Sequence, residues 1–158
     1  MRVVFTKAKH GHCMWTARPK GRRPITGSGG HQGQTTVPHD LLQFVVEREH
    51  GYRYGFWGCM ADGATFRSLA DRHGRGKVTP HGRAIIAAHV HELNEAEHAA
   101  NTAFADLRDR VETPLTTTLA QVGDQWTALP EGASLELVFD PLVAVPPRHA
   151  APRTRARR

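Results

Sequence analysis

The thirty residues from Val37 to Phe66 constrain the fold of this chain most, because no other segment holds so many apolar side chains. Pro38 suits the first turn of a helix, where a backbone N–H would have no partner in any case. Asp40 places a negative charge at the positive end of the helix dipole. Five large apolar residues follow within six positions, and Gly51 is typical of the residue just past a helix C-terminus. The pattern predicts a helix over residues 37–50 at the centre of the core.

The second half of this segment alternates aromatic side chains with glycines. The aromatic residues are Tyr52, Tyr54, Phe56, Trp57 and Phe66, and the glycines are Gly55, Gly58 and Gly63. This composition suits a short turn of helix that is packed between larger elements. We expect most of these aromatic side chains to lie in the core.

Alternation of apolar and polar residues predicts three β-strands. Residues 2–8 and 12–17 alternate and are joined by a short turn, which indicates an N-terminal β-hairpin. Residues 134–139 alternate as well, and we expect this C-terminal strand to pair with the hairpin. Between hairpin and helix, residues 18–36 contain five glycines and are strongly basic. They predict a flexible Gly-rich loop, or a wide hairpin tip, without regular structure.

Two threonine-proline pairs indicate where further helices begin. Thr79-Pro80 precedes an apolar stripe of helical period that predicts one long helix over about residues 80–112, with a possible interruption near Asn101. Thr113-Pro114 precedes a further amphipathic segment, and helices joined so closely should pack antiparallel. The fold class is therefore α+β, with a small antiparallel sheet packed on three or four helices. We expect a single domain over residues 1–140 and a disordered basic tail over 141–158.

Charge is segregated along the chain. Residues 1–36 carry seven basic side chains and no acid, and residues 141–158 carry five arginines and no acid. The segment 37–140 holds all fifteen acids against nine basic residues. A genome rich in G and C favours arginine whatever the function, but that bias does not explain why acids are missing from both ends. Clustered arginines are typical of proteins that bind polyanions.

The sequence predicts an intracellular, cytoplasmic protein without a membrane anchor. The N-terminus lacks the continuous apolar run of a signal peptide, and no later run reaches the roughly 18 apolar residues of a membrane span. Cys13 and Cys59 have neither metal nor redox spacing, and a chain of 158 residues needs no disulfide to fold.

Three side chains are candidates for catalysis if the protein is an enzyme. His39 and Asp40 lie where the glycine-rich loop meets the helix N-terminus, and a His-Asp pair can transfer protons. His89 falls near the edge of the apolar stripe, where an imidazole needs a hydrogen-bond partner. Structural roles are the competing interpretations. His39 would be an exposed residue of the first helical turn, Asp40 would cap the helix, and His89 would be a core histidine whose ring nitrogens have hydrogen-bond partners.

Metal and cofactor sites are not predicted. His91, Glu95 and His98 have the spacing of metal ligands on one helix. They lie opposite the apolar stripe, however, so a solvated helix face is the better interpretation. The glycine-rich loop does not match a phosphate-binding motif and does not follow a strand of a βαβ unit.

Three short sequence motifs in the central segment resemble motifs of small uncharacterised proteins of high-GC bacteria. They are Pro38-His39-Asp40-Leu41, Phe44-Val45-Val46-Glu47 and Gly55-Phe56-Trp57-Gly58. The resemblance covers residues 35–66, with a looser similarity at Trp126 and residues 129–137. The chain departs from the usual residues of that group at Gln43 and Gly51-Tyr52. The resemblance implies no activity, because no function is assigned to that group.

The charge pattern favours a binding or regulatory protein that engages nucleic acid or another acidic partner. The basic side chains expected to make contact lie in the N-terminal loop and the tail: Arg18, Lys20, Arg22, Arg23, Arg153, Arg155, Arg157 and Arg158. Intramolecular neutralisation of the acidic centre is the competing explanation. Two other functions remain open, a protein–protein interaction module or homodimer, and a small His/Asp-dependent or metal-assisted enzyme.

Overall fold

The computed structural model describes residues 1–29, 35–66 and 78–140. Four strands form one antiparallel sheet in the order β3-β2-β1-β4. Their bounds are β1 Arg2–Lys7, β2 Cys13–Arg18, β3 Ile25–Gly29 and β4 Ser134–Val138. The hairpin and its pairing with the C-terminal strand confirm the predicted sheet.

Five helices are described, and they make the fold α+β as predicted. Their bounds are α1 His39–His50, α2 Phe56–Ala61, α3 Pro80–Ala88, α4 Val90–Arg108 and α5 Pro114–Ala128. Helices α3 and α5 begin where the sequence indicates, because the hydroxyls of Thr79 and Thr113 accept hydrogen bonds from the third residue of each helix. Among these helices none is long and apolar enough to cross a membrane.

Helix α1 is the centre of the core. Residues 41–47 are all buried, so this helix is surrounded on nearly every side. Its Phe44 meets the ring of Phe5 from β1 and the ring of Trp57 from α2 edge to face, with 5.5 Å between ring centroids in each case. The predicted core role is confirmed for the apolar residues of α1 and for Trp57. The expectation that most aromatic side chains of residues 52–66 lie in the core is wrong, because Tyr52, Tyr54, Phe56 and Phe66 are only half-buried.

The prediction that residues 18–36 lack regular structure is wrong for Ile25–Gly29, which form β3. Two glycines of this strand allow a close approach to neighbouring side chains. A Cβ on Gly27 would lie 2.2 Å from the ring of Trp15, and a Cβ on Gly29 would lie 2.8 Å from the carboxyl of Asp40. These glycines therefore make room for side chains that pack closely against β3, and they do not make the segment flexible.

The long helix predicted over residues 80–112 is divided at His89, which adopts φ −122° and ψ 20°. No glycine or proline marks this break, so neither residue pattern nor propensity indicates it. The buried residues of α4, which follows the break, are the small side chains Ala96, Ala100 and Ala103. Val90 and Val111, two large apolar residues within the predicted helix, are 50% and 46% exposed.

Candidate functional site

The sheet gathers basic side chains at one end. Arg2 of β1 lies opposite Arg18 of β2, and the connection that follows Arg18 carries Lys20, Arg22 and Arg23 before β3 begins. We refer to these five residues as the basic sheet end. The grouping follows from the register of the hairpin, because the first residue of β1 is paired with the last residue of β2.

The chain leaves the described region beside the basic sheet end. Arg2 pairs with Val138 of β4 on its other side, and the backbone N–H of Phe139 donates to the carbonyl of Met1 over 2.7 Å. The arginines predicted to bind in the tail, Arg153, Arg155, Arg157 and Arg158, lie outside the described residues. The segment that carries them nevertheless starts at this end of the sheet.

Most cations of the basic sheet end are exposed and have no acidic partner among the described residues. Arg18, Lys20 and Arg23 are exposed, and within residues 1–29, 35–66 and 78–140 no carboxylate lies within ion-pair distance of them. Arg2 forms an ion pair with Glu136 over 3.2 Å, at the exposed surface. Arg22 lies against Gly63, and its Nη2 is 3.4 Å from Nε2 of His81.

At the other end of the sheet, Lys7 has a structural role. Nζ of Lys7 donates to the carbonyl oxygens of Trp126, Thr127 and Leu129, at 3.2, 3.0 and 2.9 Å. These carbonyls close the C-terminus of α5, where a positive charge is favourable. Lys7 therefore stabilises the fold, whereas the predicted residues Arg18, Lys20 and Arg23 are exposed and form no ion pair within the described part of the chain.

The predicted pair His39 and Asp40 forms an ordered polar contact at the start of α1. Nε1 of Trp15 donates to Oδ2 of Asp40 over 2.6 Å, and Nδ1 of His39 lies 3.5 Å from Oδ1. Both side chains are about one-fifth exposed, at 22% and 20%. The hydrogen bond to Asp40 raises the pKa of His39, burial opposes this rise, and the charges of Asp40 and Glu97 add to it.

A row of polar side chains continues from this pair along α1. Nε2 of Gln43 donates to Oε2 of Glu97 on α4 and to Oε1 of the fully buried Glu47, over 3.2 Å each. Glu47 in turn accepts hydrogen bonds from the backbone N–H groups of Phe56 and Trp57 over 2.8 and 3.0 Å. The row thus connects the surface near His39 with the first turn of α2.

His89 does not join the His39–Asp40 pair. Its ring stacks on Tyr54 with 3.4 Å between centroids and an interplanar angle of 3°. The charge of Glu97 acts on His39, and Glu97 lies eight residues after His89 in the chain. Eight residues of helix span about 12 Å, which is beyond the reach of a hydrogen bond or one bridging water. The three predicted catalytic residues therefore belong to two separate places.

The chemistry available at the His39–Asp40 pair is proton transfer, with Asp40 orienting the imidazole. A nucleophilic thiolate is not available in the described core, because burial raises the pKa values of Cys13 and Cys59 to about 12. Within the described ranges, no three histidine, cysteine or acidic side chains are arranged to hold a metal ion. His91 and Glu95 form an exposed contact of 3.6 Å.

The hydrogen bond between His39 and Asp40 can be tested by titration. We expect NMR to give a pKa for His39 above its ordinary value of 6.5, and Asp40→Asn to lower that pKa. Glu97→Gln should lower it less, because the charge of Glu97 is the smallest cause of the rise. The contribution of His39 to stability is therefore present below pH 6.5 and is lost as pH rises through the folded-state pKa. An unchanged pKa in Asp40→Asn would contradict the contact.

The sequence did not single out two acidic residues that organise the backbone of residues 52–58. Glu47 holds the N-terminus of α2, and Oε1 of Glu92 accepts hydrogen bonds from the N–H groups of Arg53 and Tyr54 over 2.6 and 2.9 Å. One sequence feature could have indicated Glu47. It directly follows a run of five large apolar residues in six positions, where a charged side chain must find buried partners.

The arrangement of the described residues thus offers an exposed basic sheet end, a single oriented His-Asp pair and a separate histidine on α3–α4. Comparison of the chain with protein-family models, with curated proteins and with solved structures finds no match.

Proposed function

We propose that this protein binds nucleic acid, engaging the phosphate backbone through the basic sheet end and the arginines of residues 141–158. The observation that supports the proposal most is spatial. The two acid-free segments, residues 1–36 and 141–158, are far apart in the sequence. The register of β1 with β2 and β4 nevertheless places Arg2 and Arg18 beside Val138, close to where residues 141–158 begin. Clustered cations release counterions when they contact phosphates, which favours binding.

The ion pairs of the described residues argue against internal neutralisation as the role of the N-terminal cations. Two acids of the helical centre pair with the preceding residue in sequence, Glu49 with Arg48 and Asp109 with Arg108. Only Arg2 of the basic sheet end has an acidic partner among the residues described. The positive charge of Arg18, Lys20 and Arg23 therefore remains available to an external polyanion.

The solvent-facing side of the sheet favours contact with the backbone over contact with bases. Helices cover the side that carries Val3, Phe5 and Trp15, which are buried. Among the described strands, the opposite side carries no aromatic residue. Alternation gives it Arg2, Val4, Thr6, Met14, Thr16, Arg18, Thr26, Ser28, Ser134, Glu136 and Val138. Bases of single strands are usually held by stacking on aromatic rings. We therefore propose duplex nucleic acid, bound without strong sequence preference.

Binding of a labelled duplex, measured by fluorescence anisotropy over a range of salt, tests the proposal. We expect the affinity to fall steeply with salt, by a slope of about −0.9 per phosphate contact on logarithmic axes. The double variant Arg18→Gln with Lys20→Gln should reduce the slope by about 2 if each cation makes one contact. Replacement of Arg153, Arg155, Arg157 and Arg158 by glutamine should reduce it further.

A charge-matched control separates position from net charge. Lys9→Gln with Arg110→Gln also removes two cations, from the hairpin turn and from the connection between α4 and α5. This control should leave the slope nearly unchanged. Binding that is absent at low salt, binding that does not respond to salt, or equal effects of the two double variants would each overturn the proposal.

A further inference from the structure

A groove between α1 and α4 lies apart from the basic sheet end and from the His39–Asp40 pair. It is formed by His50 at the end of α1, by Tyr52 just beyond it, by Ala88 and His89 at the end of α3, and by the first half of α4. Its volume is about 990 Å³. Small-molecule sites in proteins usually occupy about 300 to 1,000 Å³, so the groove is large enough for a small organic ligand.

Negative charge dominates this groove. Glu92 and Glu95 line it, whereas no described lysine or arginine does. Burial raises the pKa of Tyr52, and the charges of Glu95 and Glu92 raise it further. The phenol therefore experiences the negative potential of the two carboxylates, and a cation entering the groove would be attracted by the same charges.

One carboxylate is held in place before any ligand arrives. Oε1 of Glu92 accepts hydrogen bonds from the backbone N–H groups of Arg53 and Tyr54, over 2.6 and 2.9 Å. These bonds tie the first turn of α4 to the segment that follows α1. A carboxylate fixed in this way loses little conformational freedom when a ligand binds, which favours affinity.

Aromatic rings form the walls of the groove. The rings of His50 and Tyr52 lie side by side with 5.7 Å between centroids. His89 contributes a third ring, which is stacked on Tyr54 with 3.4 Å between centroids. Flat rings beside carboxylates are the combination by which proteins bind organic ammonium groups.

We propose that the groove binds an organic cation, an amine or quaternary ammonium group, with Glu92 and Glu95 supplying the charge and Tyr52 an aromatic face. A transition-metal ion is the alternative occupant of a histidine-rich groove. The described side chains do not favour it, because no three metal-binding groups among them converge. The groove is separate from the basic sheet end, so this proposal does not depend on the proposed nucleic-acid binding.

Titration of the isotopically labelled full chain with benzyltrimethylammonium, followed by NMR, tests the proposal. We expect saturable shifts of the backbone amides of residues 50–52 and 89–98. Glu95→Gln should weaken binding about fivefold, and Tyr52→Leu, which keeps an apolar side chain but removes the ring, should weaken it by about the same factor. Glu95 is exposed and pairs only with His91 among the described residues, so the first variant should fold normally.

Glu112→Gln provides the matched control, because it also removes one carboxylate but lies outside the groove, in the connection between α4 and α5. Its affinity for the probe should equal that of the unmodified chain. Benzyl alcohol tests whether the positive charge matters, and we expect it to bind far more weakly. Absence of saturable shifts, equal binding of benzyl alcohol, or shifts caused by Zn²⁺ but not by the ammonium probe would overturn the proposal.

Discussion

Replacing Glu47 with leucine is expected to lower the free energy of unfolding by about 3 kcal/mol, measured by chemical denaturation near neutral pH. Glu47 accepts hydrogen bonds from the N–H groups of Phe56 and Trp57 and from the amide of Gln43. Leucine would remove the acceptor of the N–H groups of Phe56 and Trp57, at a cost of about 1 to 3 kcal/mol each, whereas the amide of Gln43 would keep its hydrogen bond to Glu97. Burial of the larger apolar side chain returns about 2 kcal/mol of that loss.

Glu49→Leu on the same helix is the matched control. Glu49 is exposed and forms an ion pair with Arg48, its neighbour in sequence. Exposed ion pairs contribute about 0 to 1 kcal/mol, so this variant should change stability by less than that. Equal effects of the two substitutions would show that the loss at Glu47 does not come from its buried hydrogen bonds.

Glu47 should also give the protein a measurable dependence on pH. Burial raises its pKa from an ordinary 4.5 to about 8, although its hydrogen-bond donors oppose the rise. The folded state therefore holds a proton that the unfolded state has already lost. The stabilising effect is complete below about pH 4.5 and is lost as pH rises to about 8.

This loss should be on the order of 4 kcal/mol between about pH 5 and pH 8. Glu47→Leu should remove most of this slope. A smaller slope of the same sign should remain, because the raised pKa of His39 acts in the same direction. If the stability of the unmodified protein were flat across this range, Glu47 would not take up a proton on folding.

Replacing Gly58 with alanine is expected to destabilise the fold by about 3 kcal/mol or more, measured by the same denaturation experiment. A Cβ at this position would lie 1.8 Å from the carbonyl oxygen of Arg53 and 2.6 Å from its carbonyl carbon. These are backbone atoms, which cannot rotate away as a side chain can. The segment that includes Arg53 is also held by Glu92, so moving it would disrupt further hydrogen bonds.

Gly82→Ala separates this steric effect from helix propensity. Both glycines are helical, and alanine favours a helix over glycine by about 1 kcal/mol. A Cβ on Gly82 would meet its nearest neighbours at 3.2 Å, which small shifts can relieve. Gly82→Ala should therefore change stability by less than about 1 kcal/mol. A stabilising effect of Gly58→Ala would contradict the close approach of Arg53.

Local sequence patterns predicted a helix or strand correctly where the residues that form the pattern have a single structural role. Alternation indicated β1, β2 and β4, and the Thr-Pro pairs indicated the beginnings of α3 and α5. Glycine has two roles, flexibility in loops and close approach in packed elements, and the sequence alone does not distinguish them. Strand β3 was missed for this reason, since Gly27 and Gly29 make room for the side chains of Trp15 and Asp40.

The candidate sites were predictable only in part. The His39–Asp40 contact follows from adjacency in sequence, and the grouping of Arg2 with Arg18 follows from the register of a hairpin. The position of His89 depends on a break in a helix that no local residue indicates, so its separation from His39 could not be predicted. The groove between α1 and α4 likewise depends on how two helices pack.

The order of the strands also determines when the sheet can be completed during synthesis. Strand β1 lies inside the sheet, and one of its partners, β2, follows within a few residues. The other partner, β4, is separated from β1 by nearly the whole described chain. Until β4 emerges from the ribosome, β1 therefore presents an open edge that can pair with other chains. Chaperone dependence and aggregation of truncated translation products should follow from this late closure.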